Sequence, residues 1–204
     1  MRAGRVLSSL LLAASLVAAA LLARPYAERM VRLVRLVTAD PPSRLPMPVA
    51  VPREAVADTW GAPRSGGRVH QGVDLFAARG TPVLSTTEGV LVNVGENRLG
   101  GRTVLVLGPG GQRHYYAHLD RYGAFDEGDW VQSGAVIGFV GSTGNAAGGA
   151  PHLHYGIYDG GEAIDPLPLL DPAARRPRGR RSPGRQIGGP RPRDRSVAEG
   201  FRDT

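Results

Sequence analysis

The chain has 204 residues, no cysteine, and 25 basic against 18 acidic residues, for a net charge of +7. Every basic residue is arginine, so disulfides and thiolate metal ligands are excluded by the missing cysteine, and chemistry on a side-chain amine by the missing lysine. The charge is uneven, +5 over residues 1–46, −4 over 47–170 and +6 over 171–204, so the central region has no basic character to support a nucleic-acid function.

Taken from the N-terminus, Arg2 and Arg5 precede an uncharged run, Val6 to Ala23, that Arg24 ends. A basic start, an apolar stretch and small residues read as a signal peptide over residues 1–23. At ~1.5 Å per residue these 18 residues reach ~27 Å, close to the ~30 Å bilayer core, so the run could instead remain as an uncleaved anchor. A buried N-terminal helix is the plainer alternative. Residues 24–52 read as a linker. Met30, Val31, Val34 and Val37 recur at roughly helical spacing, with Arg29, Arg32 and Arg35 on another face, which suits a basic amphipathic helix on a membrane surface or a short helical connection. The Pro-rich stretch 40–52 reads as an extended spacer.

From about residue 53 the pattern changes to short β-branched and aromatic runs, at 81–86, 89–95, 102–108, 113–119, 135–141 and 152–158. Gly, Pro, Asn or Asp separate them, and "LGPGGQ" (107–112) joins two of them like a hairpin turn. The expectation is a mainly β domain over 53–170, a compact antiparallel sheet. After 170 the chain is rich in Arg, Pro and Gly, and 171–204 reads as a disordered tail.

All five histidines lie in this central region, and four of them fall into a definite order: His70-x-x-x-Asp74, then His118, then His152-x-His154. In a strand, residues two apart share a face, so His152 and His154 project together while Leu153 and Tyr155 point into the core. The glycine between His70 and Asp74 would let the backbone turn so that both side chains converge on one ion. Imidazole and carboxylate at such spacings suit a zinc site, and a catalytic site keeps three protein ligands and one open position. A lone strand histidine is usually structural; both patterns together are far more specific.

The segments "HQGVDLFAARGTPV", "YYAHLD", "GDWVQSGAVIGFVGSTGN" and "PHLHYGIY" resemble the lysostaphin-type (LytM-like) zinc metalloendopeptidases that cut bacterial cell-wall peptides. The likeness covers about residues 55–170. It implies a sheet whose groove holds one zinc ion at its floor. It implies His70, Asp74 and His154 as the zinc ligands and His118 and His152 as catalytic, non-ligand histidines. Attack of zinc-activated water on a peptide carbonyl would be aided by the two imidazoles, and which acts as base stays open. The implied protein is an exported, monomeric hydrolase of peptidoglycan in the periplasm or cell envelope, with a membrane tether through residues 6–23 and no nucleic-acid partner.

Other residues have plainer readings. His114 is expected at a solvent or rim position or in contact with substrate, Tyr116 in sheet packing or orienting a bound peptide. Asn145 lies in the loop 141–149, which resembles one lining the family's groove. Trp60 and Trp130 read as core aromatics, and Asp165 as ending the last strand. A catalytically silent relative that regulates another wall hydrolase would need gaps in the site. A biotinyl or lipoyl carrier, which "EGDWVQSGAVIGFVG" resembles, needs a lysine that is missing. The basic tail touches anionic polymers or lipid more readily than nucleic acid in an exported protein.

Overall fold

The computed structural model describes residues 2–174, and for residues 2–14 only the helix they form. The tail assigned to 171–204 therefore lies outside the described residues from 175 onward. One helix, α1 (Arg2–Thr38), precedes eleven strands among the described residues. Two short strands, β1 (Pro63–Arg64) and β2 (Arg68–Val69), form a separate hairpin. The others make one nine-stranded antiparallel sheet: β3 (Val73–Phe76), β4 (Pro82–Leu84), β5 (Gly89–Asn97), β6 (Gly101–Leu107), β7 (Arg113–Tyr122), β8 (Trp130–Val131), β9 (Val136–Val140), β10 (His152–Asp159) and β11 (Glu162–Ile164). The main path runs β11-β10-β7-β6-β5-β8, with β3 added on β10, β9 on β7, and β4 on β9.

The strands follow from alternation of apolar and polar residues. Val104 and Val106 of β6, Tyr116 of β7, and Leu153, Tyr155 and Ile157 of β10 are buried on one face and join a single core. Burying an aliphatic side chain of this size contributes about 2 kcal/mol. The opposite face of β10 and β7 stays open and becomes the floor of a groove.

Three features depart from the sequence reading. The helix runs unbroken through residue 23, where the leader and the amphipathic linker meet, with Pro25 inside it. Of its described side chains only Leu36 is buried, while Leu21, Leu22, Tyr26, Met30 and Val34 are exposed. Among the described residues no helix is long and apolar enough to cross a membrane. The segment 40–52 is not merely a spacer: Leu45, Met47 and Val49 are 1%, 7% and 0% exposed and belong to the core. The two prolines between them pre-set an extended backbone, and Leu45 pairs with Leu170 in a parallel bridge. Trp60 and Trp130 are only half buried, and the Arg32 guanidinium stacks over the Trp130 ring at 3.5 Å.

Candidate metal centre

The antiparallel register of β3 and β10 sets Asp74 directly across from His154, and that of β10 and β7 sets His154 across from Ala117. His152 lies two residues from His154 on the same open face, with Leu153 and Tyr155 in the core, as strand alternation requires. His70 lies just before β3. Its ring Nδ1 donates to the Thr59 carbonyl at 2.7 Å, so Nε2 carries the lone pair and points at Asp74. Gly72 sits under this assembly, but not for the reason its freedom of φ suggests. A Cβ there would lie 2.7 Å from the His154 ring, so glycine is needed for close approach, with no positive φ.

Three donor atoms converge. His70 Nε2 and His154 Nδ1 are 2.8 Å apart, and each is 3.1 Å from Asp74 Oδ1. Donors bound tetrahedrally at ~2.05 Å would be ~3.3 Å apart, so the triangle is close to the size a metal such as zinc demands. The second Asp74 oxygen, Oδ2, accepts from Arg64 Nη2 at 2.7 Å, which leaves Oδ1 for an ion. Two imidazoles and one carboxylate, buried and preset by neighbouring hydrogen bonds, fit a divalent metal. Burial acts to raise the Asp74 carboxyl, but the adjoining His154 and His70 outweigh it and hold it well below the usual carboxylate range. Burial lowers His154. Asp74 is therefore ionised, the form that binds a metal.

His118 and His152 stand beside this triangle with ring centroids 4.9 Å apart. The His118 Nδ1 donates to the Thr143 carbonyl, and the His152 Nδ1 to the Ala150 carbonyl, both at 2.9 Å. A carbonyl can only accept, so both rings carry their proton on Nδ1 and leave Nε2 bare. His152 Nε2 is 4.0 Å from Asp74 Oδ1. Burial, reinforced by the charges of His152 and His154, lowers the His118 pKa to about 4.

His118 reaches the groove by an irregularity. It is the one non-glycine residue with positive φ, +62°, among the described residues. The pairing of β6 with β7 slips between Arg102 and Val104, which leaves one extra residue on β7 near this point. Strand alternation would send His118 to the core side with His114 and Tyr116, and the bulge turns it outward. Such a backbone costs roughly 1–3 kcal/mol. It is held by the His118 N–H on the Gly100 carbonyl at 2.7 Å and by the ring bond to Thr143.

The same parity overturns the rim position expected of His114 and leaves Tyr116 to sheet packing. His114 and Tyr116 are fully buried, on the face away from the groove. They form a polar cluster with Thr86 and Tyr155: the Tyr155 hydroxyl is 2.8 Å from His114 Nδ1, and Thr86 Oγ1 is 2.8 Å from the Tyr116 hydroxyl. Neither can touch substrate. Burial lowers the His114 pKa to about 4. The groove aromatic on β7 is Tyr115, whose hydroxyl accepts from Asn97 Nδ2 at 3.0 Å and whose ring meets His154 edge-on. Asn145 lines the groove, as expected, and its N–H donates to the Leu99 carbonyl. Asp165 follows β11 and accepts from the Leu167 N–H at 2.9 Å, capping a turn. The groove encloses about 430 Å³. Arg64, Thr143 and Tyr115 escaped the sequence reading; for Tyr115, the signal was strand alternation, which puts it on the face opposite Tyr116.

Residues 68–166 match the model of Peptidase family M23. The chain is 42% identical over 124 residues to the L-Ala–D-Glu endopeptidase of Bacillus subtilis, an overlap of 55% of this chain and 38% of that protein. It is 35% identical over 130 residues to the DD-carboxypeptidase/endopeptidase Mpg of Neisseria meningitidis, covering 64% of this chain and 28% of that one. The chain thus spans only about a quarter to two fifths of these relatives' lengths. The catalytic domain of the antimicrobial peptidase lysostaphin from Staphylococcus simulans superposes with a TM-score of 0.50 at 35% identity, over 55% of this chain and 89% of that domain.

Proposed function

The chain belongs to peptidase family M23, and on that premise we propose that it is a zinc-dependent endopeptidase that hydrolyses peptide bonds of peptidoglycan. The observation that carries the reading is the triangle of His70, Asp74 and His154 flanked by two histidines with bare Nε2 atoms. Relatives named as endopeptidases support the substrate class. His70, Asp74 and His154 would hold one zinc ion per chain. When bound, the metal supplies Lewis acidity towards the scissile carbonyl and a nucleophile near neutral pH.

The chain's own residues do the rest. The groove positions an extended peptide across the floor of β7 and β10. The bare Nε2 atoms of His118 and His152 take up the proton released on attack, and the resulting imidazolium returns it to the leaving amine or donates to the developing oxyanion. Their Nδ1 bonds to Thr143 and Ala150 fix the tautomers this needs. Asn145, on the groove wall, lies within reach of a bound peptide.

We further propose that the protein is exported to the periplasm or cell envelope and works as a monomer. The basic residues and the apolar run 6–23 support a leader or a tether, and the exposed Leu21, Leu22, Tyr26 and Met30 beside Arg24 and Arg29 would suit an anionic lipid surface. A silent regulator would lack ligands, whereas every metal and catalytic position is filled. The decisive experiment is mass spectrometry of products from purified peptidoglycan, with and without a chelator, on protein of measured zinc content. Cleavage that adds one water per bond and stops with the chelator is expected. Zinc-loaded protein that releases nothing would assign the regulator role instead.

A further inference from the structure

The groove reverses the charge of the region that carries it. Residues 47–170 hold eight arginines and twelve acids, yet the charged side chains lining the groove, histidines aside, are Arg64, Arg68 and Asp74. Asp74 is committed to the metal triangle. Before any metal binds, the wall already carries one more cation than anion, and a divalent ion adds two further positive charges.

Arg64 and Arg68 owe their position to the β1–β2 hairpin. They are directly opposed across it, in the register Arg64↔Arg68. Like charges facing each other on a two-stranded ribbon are destabilising, and among the described residues the only ion pair that offsets it is Arg64 with Asp74. Arg64 spends Nη2 on Asp74 Oδ2, and its other nitrogens have no partner among the described residues. Its side chain is 37% exposed. The Arg68 side chain hydrogen-bonds only to Ser65 among the described residues, through the carbonyl at 3.2 Å and the hydroxyl at 3.5 Å, and makes no ion pair among them. Both guanidinium groups thus line an open groove and keep N–H groups to spare, Nη1 and Nε on Arg64 and Nη1 on Arg68.

Their place along the groove defines what they can meet. Arg68 is two residues before His70, and Arg64 touches the carboxylate of Asp74. A ligand held by both lies against the metal triangle, next to where a peptide bond must sit to be cut. Guanidinium pairs carboxylates through two parallel N–H···O bonds, which an amide cannot match in strength.

We infer that Arg64 and Arg68 form a substrate subsite for a free carboxylate on a residue adjoining the scissile bond. The subsite selects acidic peptides over amidated ones. It rests on the endopeptidase reading above and refines the substrate class. Arg64 links the subsite to the metal ligand: the same guanidinium that holds Asp74 Oδ2 would receive the substrate, so an acidic peptide is seated in fixed relation to the triangle.

The test compares stem peptides from purified peptidoglycan with the same peptides after conversion of their carboxylates to carboxamides. Binding to the zinc-loaded full chain is measured by calorimetry, and cleavage by mass spectrometry. Amidation is expected to weaken binding and lower kcat/KM about tenfold or more, mainly through KM. The preference should shrink as salt is raised, because the pair is partly exposed. In Arg68→Gln, chosen because Arg68 touches no metal ligand, the ratio of free to amidated substrate should fall to about a third of its original value, with zinc content as the check on folding. Equal binding and equal cleavage of both peptides would overturn the subsite and leave the endopeptidase reading intact. A full preference retained in Arg68→Gln would also overturn it. Preferential binding of the acidic peptide without cleavage of either would support the subsite and remove the endopeptidase reading. No binding and no cleavage of either would remove both.

Discussion

His118 concentrates the interest of the site. It is absent from the metal triangle, so His118→Ala should keep one metal ion per chain, measured by atomic absorption, while hydrolysis falls at least about a hundredfold. Full activity in that variant would remove it from the chemistry. Its geometry depends on Thr143, which acts twice. The Thr143 carbonyl takes the His118 Nδ1 proton, and the Thr143 hydroxyl donates to the Leu119 carbonyl at 2.9 Å and accepts the Arg102 N–H at 3.0 Å. Thr143 is thus a positioning residue. Thr143→Val keeps the shape and loses both hydroxyl bonds, and should lower kcat about tenfold with KM and metal content nearly unchanged. Thr143→Ser, which restores the hydroxyl, should recover most of the rate. Equal damage in both variants would point to packing alone.

The strands explain what could be read from the chain and what could not. His152-x-His154 was legible because a two-residue repeat keeps the side chains on one face whatever the neighbours do. The β3–β10 register was not legible: nothing local says that Asp74 lies opposite His154, since pairing partners are chosen by the whole sheet. β7 misled for a related reason. Uniform alternation puts His114, Tyr116 and His118 together, whereas one extra residue in the strand separates the last from the others. Short β1, β2, β3 and β8 have too few residues to show a period. Gly72 was noticed, but its role is contact rather than conformation. Gly72→Ala would force a methyl group against the Tyr155 carbonyl and the His154 ring, and metal affinity should fall about 10–100-fold in a chelator competition. Unchanged affinity would mean that β3 yields without moving the triangle.

Stability of the molecule should carry the signature of its buried imidazole. His114 titrates at about 4 in the folded protein because burial disfavours its charge, against 6.5 when unfolded. Below pH 6.5 the unfolded state takes up the proton first. The His114 contribution is therefore complete above pH 6.5 and declines as pH falls towards 4, by up to about 3 kcal/mol. Urea unfolding of metal-free protein across this range checks it, and His114→Leu should flatten the slope. A slope that persists unaltered would locate the proton uptake elsewhere. The core that enforces this burial extends further than composition implied. Prolines made 40–52 look like an extended spacer, yet alternate apolar residues there fill the core.

That segment has one more consequence. Leu45 and Leu170 are joined in a parallel bridge, with Leu45 donating to the Leu169 carbonyl and Asp171 to the Leu45 carbonyl, both at 2.8 Å. The chain therefore arrives at the catalytic module and departs from it through adjacent points, about one strand spacing apart. Such a module is a cassette. It can be spliced into a loop of a longer host polypeptide without prying its two ends apart, and sheet, groove and metal triangle travel with it as a unit.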